Sequence, residues 1–260
     1  SEPDTDLYKL EKVEAEGRSK QKLDCLRYRK EISVRTFIRQ NCYEPSIKSQ
    51  PIVFLVGDSH AASLRLGLKP YLHSKNINLL GSTVGDCMFR NFKIGQDQLC
   101  QDINEQYLKE ISRLRPELVI IDFYWAELAR NGPIEQHLLD HITELNNLGV
   151  RNIVVVGQIP TWGNDLGLPR YLITNFAALN LKIPSRLPRL RVDNDPPGTM
   201  EYMRFFEYPP GVTFISMDDL LCNGKGCLTM IGPNLATDLI VWDYGHLTDS
   251  GSKYVSERLF

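Results

Sequence analysis

No run of apolar residues in this chain approaches the length of a membrane-spanning helix. Its opening stretch, SEPDTDLYKLEKVEAEGRSK, is polar and acidic, where a secretion signal would be basic and then apolar. As given, the sequence therefore reads as soluble. It has no initiating Met and ends at Phe260 inside an expected helix, so it reads as a piece of a longer polypeptide. A net charge of only −2 supplies no basic footprint, and no nucleic-acid partner is expected. There is no C-x₂-C pair and the cysteine intervals are irregular, which argues against a zinc site. His137 and His141 lie one helical turn apart, but no Glu follows the first as in H-E-x-x-H; they are expected at the surface, not on a metal. No G-x-G-x-x-G follows the first buried strand, which excludes a dinucleotide fold.

What is present is ordinary globular material: 260 residues, 42% hydrophobic and 24% charged, enough for one substantial core with a small appendage. The six cysteines fall as sequence neighbours, Cys25 with Cys42, Cys87 with Cys100 and Cys222 with Cys227. Six cysteines allow fifteen connectivities; the sequential one is the expectation, and an even count in short-range pairs suits an oxidising, extracytoplasmic compartment.

Residues 1–50 differ from the rest. Leu7 to Arg39 is rich in Lys, Arg and Glu with intermittent apolar positions, which predicts one or two amphipathic helices in an N-terminal extension or linker arm. Its basic cluster, Arg27, Arg29, Lys30, Arg35 and Arg39, reads as a solvated helix face. From residue 51 to 260, buried strands alternate with helices. Strands are expected at Ile52–Val56, Ile77–Leu80, Leu118–Phe123, Asn152–Val156 and Val212–Ile215. Helices are expected from the Ser59 turn to Pro70, at Ile103–Leu114 and Ile134–Leu148, and from about Asp249. This alternation predicts an α/β fold, a three-layer α/β/α sandwich on about five parallel strands, as one domain over 51–260. Residues 163–210 hold seven of the fifteen prolines and the basic run Arg186–Arg191. They are expected to lie over the mouth of the site as a lid or substrate-shaping insertion, with Trp162, Tyr171 and the arginines suited to a sugar and to acidic groups.

The chemistry concentrates where the first strand stops, at Gly57-Asp58-Ser59-His60. A serine on a strand-to-helix turn holds its hydroxyl at the carboxyl end of the sheet beside the amides of the starting helix, where a nucleophile and an oxyanion donor are needed. Ser59 as a helix cap is the simpler alternative. Against it stands Asp243-Tyr244-Gly245-His246 near the other end, an acid and a base three residues apart. His60, beside the nucleophile, is expected to be structural.

GDSH early and D-x-x-H late, within DYGHLTDSG at Asp243 to Gly251, resemble the SGNH (GDSL-like) hydrolases. An α/β-hydrolase is the nearer rival, since GDSHA differs from G-x-S-x-G only at Ala61, but that fold sets its acid far from its base. The resemblance implies a flavodoxin-like sheet and a triad of Ser59, Asp243 and His246. It also implies an oxyanion amide in the second block, where Gly85 matches best and Gly81 is the reserve. The family's third block, G-x-N-D, is absent: Asp122-Phe123-Tyr124-Trp125 stands there, and the Tyr124 hydroxyl or the Trp125 indole N–H is the expected substitute donor.

GDSH, the three cysteine pairs, Ile159-Pro160-Thr161-Trp162, LCNGKGCLT and DYGHLTDSG together look like the extracytoplasmic SGNH domain fused to membrane acyltransferases that O-acetylate bacterial surface polysaccharides. That resemblance, over about residues 20–260, implies acetyl transfer to a carbohydrate hydroxyl, for example of lipopolysaccharide O-antigen. The donor would come from an upstream membrane domain, with no cofactor or metal, in a monomeric periplasmic domain tethered to the inner membrane. The alternatives are a stand-alone carbohydrate esterase and a non-catalytic glycan-binding module.

Overall fold

The computed structural model describes residues 6–23, 25–28, 42–85, 87, 98–162, 167–188 and 199–260. In chain order the elements begin with α1 (Asp6–Leu23), β1 (Leu26–Tyr28), β2 (Ile52–Gly57), α2 (Ser59–Ser74), β3 (Asn78–Gly85), α3 (Gln98–Leu114) and β4 (Leu118–Asp122). They continue with α4 (Trp125–Asn131), α5 (Ile134–Asn147), β5 (Ile153–Val156), α6 (Gly167–Asn175), a short 3₁₀ turn at Ala177–Leu179 and β6 (Arg186–Leu187). The last are α7 (Thr199–Phe205), β7 (Val212–Ile215), α8 (Met217–Leu221), β8 (Cys222–Asn223), β9 (Gly226–Leu228) and α9 (Asp249–Leu259).

The main sheet runs β1-β3-β2-β4-β5-β7, every pair parallel. Its five principal strands have the flavodoxin-like order, with the chain reversing direction across the sheet between β2 and β4. Because successive side chains point to opposite faces, each strand feeds two cores. Val53 and Leu55 of β2, Ile120 of β4 and Val154 of β5 join α2, α6, α9 and the Leu239–Trp242 segment on one face. Phe54 and Val56, Val119 and Ile121, and Ile153 and Val155 join α3 and α5 on the other. This is why these strands read as continuous apolar runs: neither face meets water.

All five expected strands form, and Leu26–Tyr28 adds a sixth from within residues 1–50 by pairing with Thr83–Gly85. Leu10 and Val13 of α1 are likewise buried in the first core. That extra partner explains why β3 continues to Gly85, past the expected strand end at Leu80. The basic cluster, apart from the backbone of Arg27, lies outside the described residues. The six cysteines pair as sequence neighbours, Cys25–Cys42, Cys87–Cys100 and Cys222–Cys227. The third pair closes the β8–β9 hairpin of a small antiparallel sheet with β6. Helix α2 runs past Pro70 to Ser74, since Leu68 and Leu72 are buried on both sides of the proline and tertiary packing outweighs the lost hydrogen bond.

Part of the expected lid belongs to the body. Leu168 and Leu172 of α6 are in the core, and Arg186 donates to the carbonyls of Leu221 and Gly226 in place of meeting a ligand. Residues 163–166 and 189–198 of that stretch lie outside the described ones. Trp162 is core, 2% exposed, so it offers no platform to a sugar. His141 is buried as well, edge-on to Tyr107, because α5 turns it into the second core and not to solvent.

Helices α2 and α9 cross at backbone contact. A β-carbon on Gly67 would lie 2.2 Å from the Lys253 nitrogen and 2.3 Å from the Ser252 carbonyl carbon. The Gly67 N–H donates to Ser252 Oγ, which donates to the Leu64 carbonyl. Because main chain cannot step aside as a side chain does, Gly67→Ala is expected to destabilise the fold by about 3 kcal/mol. It should lower the melting temperature by roughly 6–12 °C in a thermal scan, and an unchanged midpoint would contradict this packing.

Candidate active site

Ser59 is the first residue of α2 and follows β2 by one residue. The cap of that helix is Asp58, not Ser59: one oxygen of Asp58 accepts from the His60 N–H at 2.8 Å. Its other oxygen accepts from the Tyr124 N–H, also at 2.8 Å, on the turn after β4. One carboxylate thus latches together the ends of the two strands between which the sheet reverses, which is where ligands bind in such sheets. With Asp58 as the cap, the serine hydroxyl is left to a different partner.

That hydroxyl lies 2.8 Å from His246 Nε2, and His246 Nδ1 lies 2.7 Å from Asp243 Oδ2. The second oxygen of Asp243 accepts from the N–H groups of Gly245 and His246 at 3.0 and 2.8 Å, so the carboxylate is held by its own turn. Ser59, Asp243 and His246 are therefore brought into one hydrogen-bonded line from opposite ends of the chain. The imidazole and the carboxylate are largely buried, with 8% and 14% of their side-chain surface exposed. Around the imidazole stand flat groups: Trp242 stacks on it at 5.0 Å and 14°, His60 sits at 4.5 Å and 32°, and Tyr244 meets it edge-on.

His60 stacks on Tyr124 with rings 4.8 Å apart and 6° from parallel, and its Nε2 lies 3.4 Å from the Tyr244 hydroxyl. Burial, and then the neighbouring His246, hold it well below the usual histidine range. It is a neutral wall of the site, one residue from Ser59. Gly85 stands at the carboxyl end of β3, whose Thr83 is paired with Gly57, so the two strands reach the level of Ser59 together. Gly81 does not: it lies mid-strand opposite Leu55, with its N–H donating to the Cys42 carbonyl.

One of the two substitute donors of the third block, the Trp125 indole, needs correction. Trp125 opens α4 fully buried, and its indole N–H donates to the Val156 carbonyl at 2.7 Å, so it faces the sheet and not Ser59. The reason is local: the chain enters a helix directly after Tyr124, with the Ala126 N–H donating to Gln158 Oε1. The Tyr124 ring lies between His60 and the Arg130 guanidinium, 5.9 Å from its centroid. Asp58, Trp242 and Tyr244 are the site residues that pattern reading missed. Asp58 had a signal, as a capping residue directly before the serine; Trp242 had only its place beside Asp243.

Asp122, at the end of β4, is 7% exposed. Burial, and then the charge of Asp58, push its carboxyl well above the usual range. Burial also pushes Asp58 up to about 6, against the pull of its two amide partners. A raised native value means that the folded chain holds a proton that the unfolded chain has released. Stability from such groups is full at low pH and is lost as pH rises through the folded value. Asp122→Asn is expected to melt near the wild type at about pH 3.5, below the ordinary carboxylate value, and several degrees above it at about pH 8.5. Parallel pH profiles of melting temperature would argue against a buried acid here. Among the described residues no three His, Cys, Asp or Glu side chains gather as a metal site, and no helix is long and apolar enough to cross a membrane.

An open parallel sheet of this order, with a serine on the turn after its first principal strand and an Asp-x-x-His turn closing on it, defines a domain of the SGNH type. The chain belongs to the family of SGNH domains fused to AT3 domains, whose model matches residues 24–259. Among solved structures it is similar to the periplasmic domain of the lipopolysaccharide acetyltransferase of Salmonella ser. Paratyphi A, at 22% identity and a TM-score of 0.77, covering 96% of this chain and 95% of that one. TesA is similar over 41% of this chain and 59% of its own at 15% identity and a TM-score of 0.30, which carries no weight here. Comparison with curated protein sequences gives no match. The three disulfides fit an extracytoplasmic setting.

Proposed function

We propose that this domain transfers an acetyl group through Ser59 to a hydroxyl of a bacterial surface polysaccharide such as lipopolysaccharide O-antigen, a reading supported by its membership of the SGNH family fused to AT3 domains and its likeness to a lipopolysaccharide acetyltransferase domain. The observation that carries the reading is the unbroken line from Ser59 Oγ through His246 to Asp243 at the carboxyl edge of the sheet.

In this reading Ser59 Oγ attacks the acetyl carbonyl of a donor presented by an upstream membrane acyltransferase domain, and its proton passes to His246 Nε2. The carbonyl electron pair moves to oxygen, where the amides of Ser59 and Gly85 stabilise it. Collapse expels the donor's leaving group, which takes the proton from His246. A sugar hydroxyl then enters, gives its proton to His246 and attacks the acetyl-serine. When this second tetrahedral species collapses, Ser59 recovers the proton and the sugar leaves acetylated. Asp243 keeps Nδ1 protonated throughout and stabilises the imidazolium formed in each half. Tyr124 and Tyr244 shape the entrance around the serine.

The test is intact-mass measurement of the chain after brief exposure to p-nitrophenyl acetate, followed by addition of deacetylated O-antigen polysaccharide. An acetyl adduct on Ser59 that moves to the glycan supports the proposal. An adduct discharged only to water makes the domain an esterase. A folded chain that forms no adduct and still binds the glycan makes it a binding module.

A further inference from the structure

Helix α1 approaches the triad through Trp242. Gly17 is buried against the indole of Trp242: a β-carbon at position 17 would lie 2.2 Å from Cγ and 2.4 Å from Cδ1 of that ring. The same indole is stacked on the imidazole of His246, 14° from parallel, and the backbone N–H of Trp242 donates to the His246 carbonyl at 2.9 Å. Trp242 is 1% exposed and shares a core with Leu10 and Val13 of α1. Two ion pairs fasten the helix at its rim, Lys20 to Asp249 at 2.7 Å and Glu14 to Arg170 at 3.7 Å. Exposed pairs of this kind contribute little, so the apolar residues and the glycine contact carry the seating of α1.

We propose that Trp242 is a positioning residue for His246 and that Gly17 sets its place, so that the seating of α1 tunes the triad. The inference rests on the reading of His246 as the base. An imidazole serves that role only while Nδ1 faces Asp243 and Nε2 faces Ser59 at once. The Asp243 contact fixes one point of the ring, and the stacked indole fixes its plane. A β-carbon on Gly17 pushes the indole, the indole tilts the imidazole, and the Nε2 to Oγ contact opens although no reacting group has been removed. A displacement of about 1 Å in such a contact typically slows chemistry by up to about a hundredfold. Whatever shifts α1 therefore acts on the base from outside the site.

The experiment compares wild type and Gly17→Ala in the full chain. It uses imidazole NMR of His246 together with steady-state hydrolysis of p-nitrophenyl acetate. The Nδ1–H proton of His246 is expected to be sharp and downfield in the wild type and broadened or lost in Gly17→Ala. The kcat of Gly17→Ala should fall about tenfold to a hundredfold with KM within about twofold of wild type. A folded Gly17→Ala chain with the wild-type resonance and kcat overturns the proposal. If that variant does not fold, Trp242→Leu, which keeps apolar bulk without a flat face, replaces it; the same loss is expected, and an unchanged His246 resonance overturns the proposal. The resonance also separates this inference from the function proposed above. A wild type that shows no turnover, with a His246 signal that still responds to Gly17, would sink the catalytic reading alone.

Discussion

Ser59→Ala is expected to form no acetyl adduct and to hydrolyse p-nitrophenyl acetate at least about a thousandfold more slowly than the wild type. The substitution removes one oxygen, the atom 2.8 Å from His246 Nε2. It disturbs little else: position 59 opens a helix whose capping is done by Asp58, and alanine has the best helix propensity. The melting temperature should therefore stay within a few degrees of the wild type, which makes loss of activity a statement about chemistry and not about folding. His246, Asp243 and the amides around the oxyanion position remain, so a small residual rate above that of water is expected. A Ser59→Ala chain with wild-type turnover, or an adduct found on another residue, would move the nucleophile elsewhere.

Asp243→Asn should cost about four orders of magnitude in kcat, nearly as much, for a reason visible in the turn itself. Asp243 uses one oxygen to accept from the N–H groups of Gly245 and His246 and the other to face His246 Nδ1. An asparagine has only one oxygen. To keep the two amides satisfied it must place that oxygen toward them and turn its NH₂ toward Nδ1. A donor facing Nδ1 selects the tautomer protonated on Nε2, which has no lone pair to take the proton of Ser59. Backbone and stability should be nearly preserved, because the turn keeps both of its hydrogen bonds. Nitrogen NMR of the His246 ring should show the proton moved from Nδ1 to Nε2, together with the loss of kcat. Activity within tenfold of wild type would remove Asp243 from the triad.

Much of this site was legible because its signals are local. Ile52 to Val56 is apolar without interruption, since a central strand of a parallel sheet buries both faces, and such a run ends where the serine stands. Asp243 and His246 lie three residues apart, so one turn places them together whatever the rest of the chain does. The cysteines are close in sequence, and short loops close most easily. The parts that pattern reading missed depend on partners far along the chain. The N–H that Asp58 latches belongs to Tyr124, 66 residues away. Trp125 carries the same indole wherever its ring points. Only the carbonyl of Val156 on the neighbouring strand turns it from a candidate oxyanion donor into a strut between α4 and β5. Gly81 and Gly85 are alike as letters; the arrival of Leu26–Tyr28 at the sheet edge makes one mid-strand and the other terminal.

By itself, then, the order of residues determined which elements form, the order in which strands and helices alternate and which side chains carry chemistry, because burial pattern and turn chemistry act over a few neighbouring residues. The tertiary structure alone decided how the His246 ring is held, which glycine ends its strand and that α1 lies against Trp242. Those are contacts between surfaces brought together by packing two cores about one sheet, and their geometry is a property of the packed whole that no short window of sequence contains.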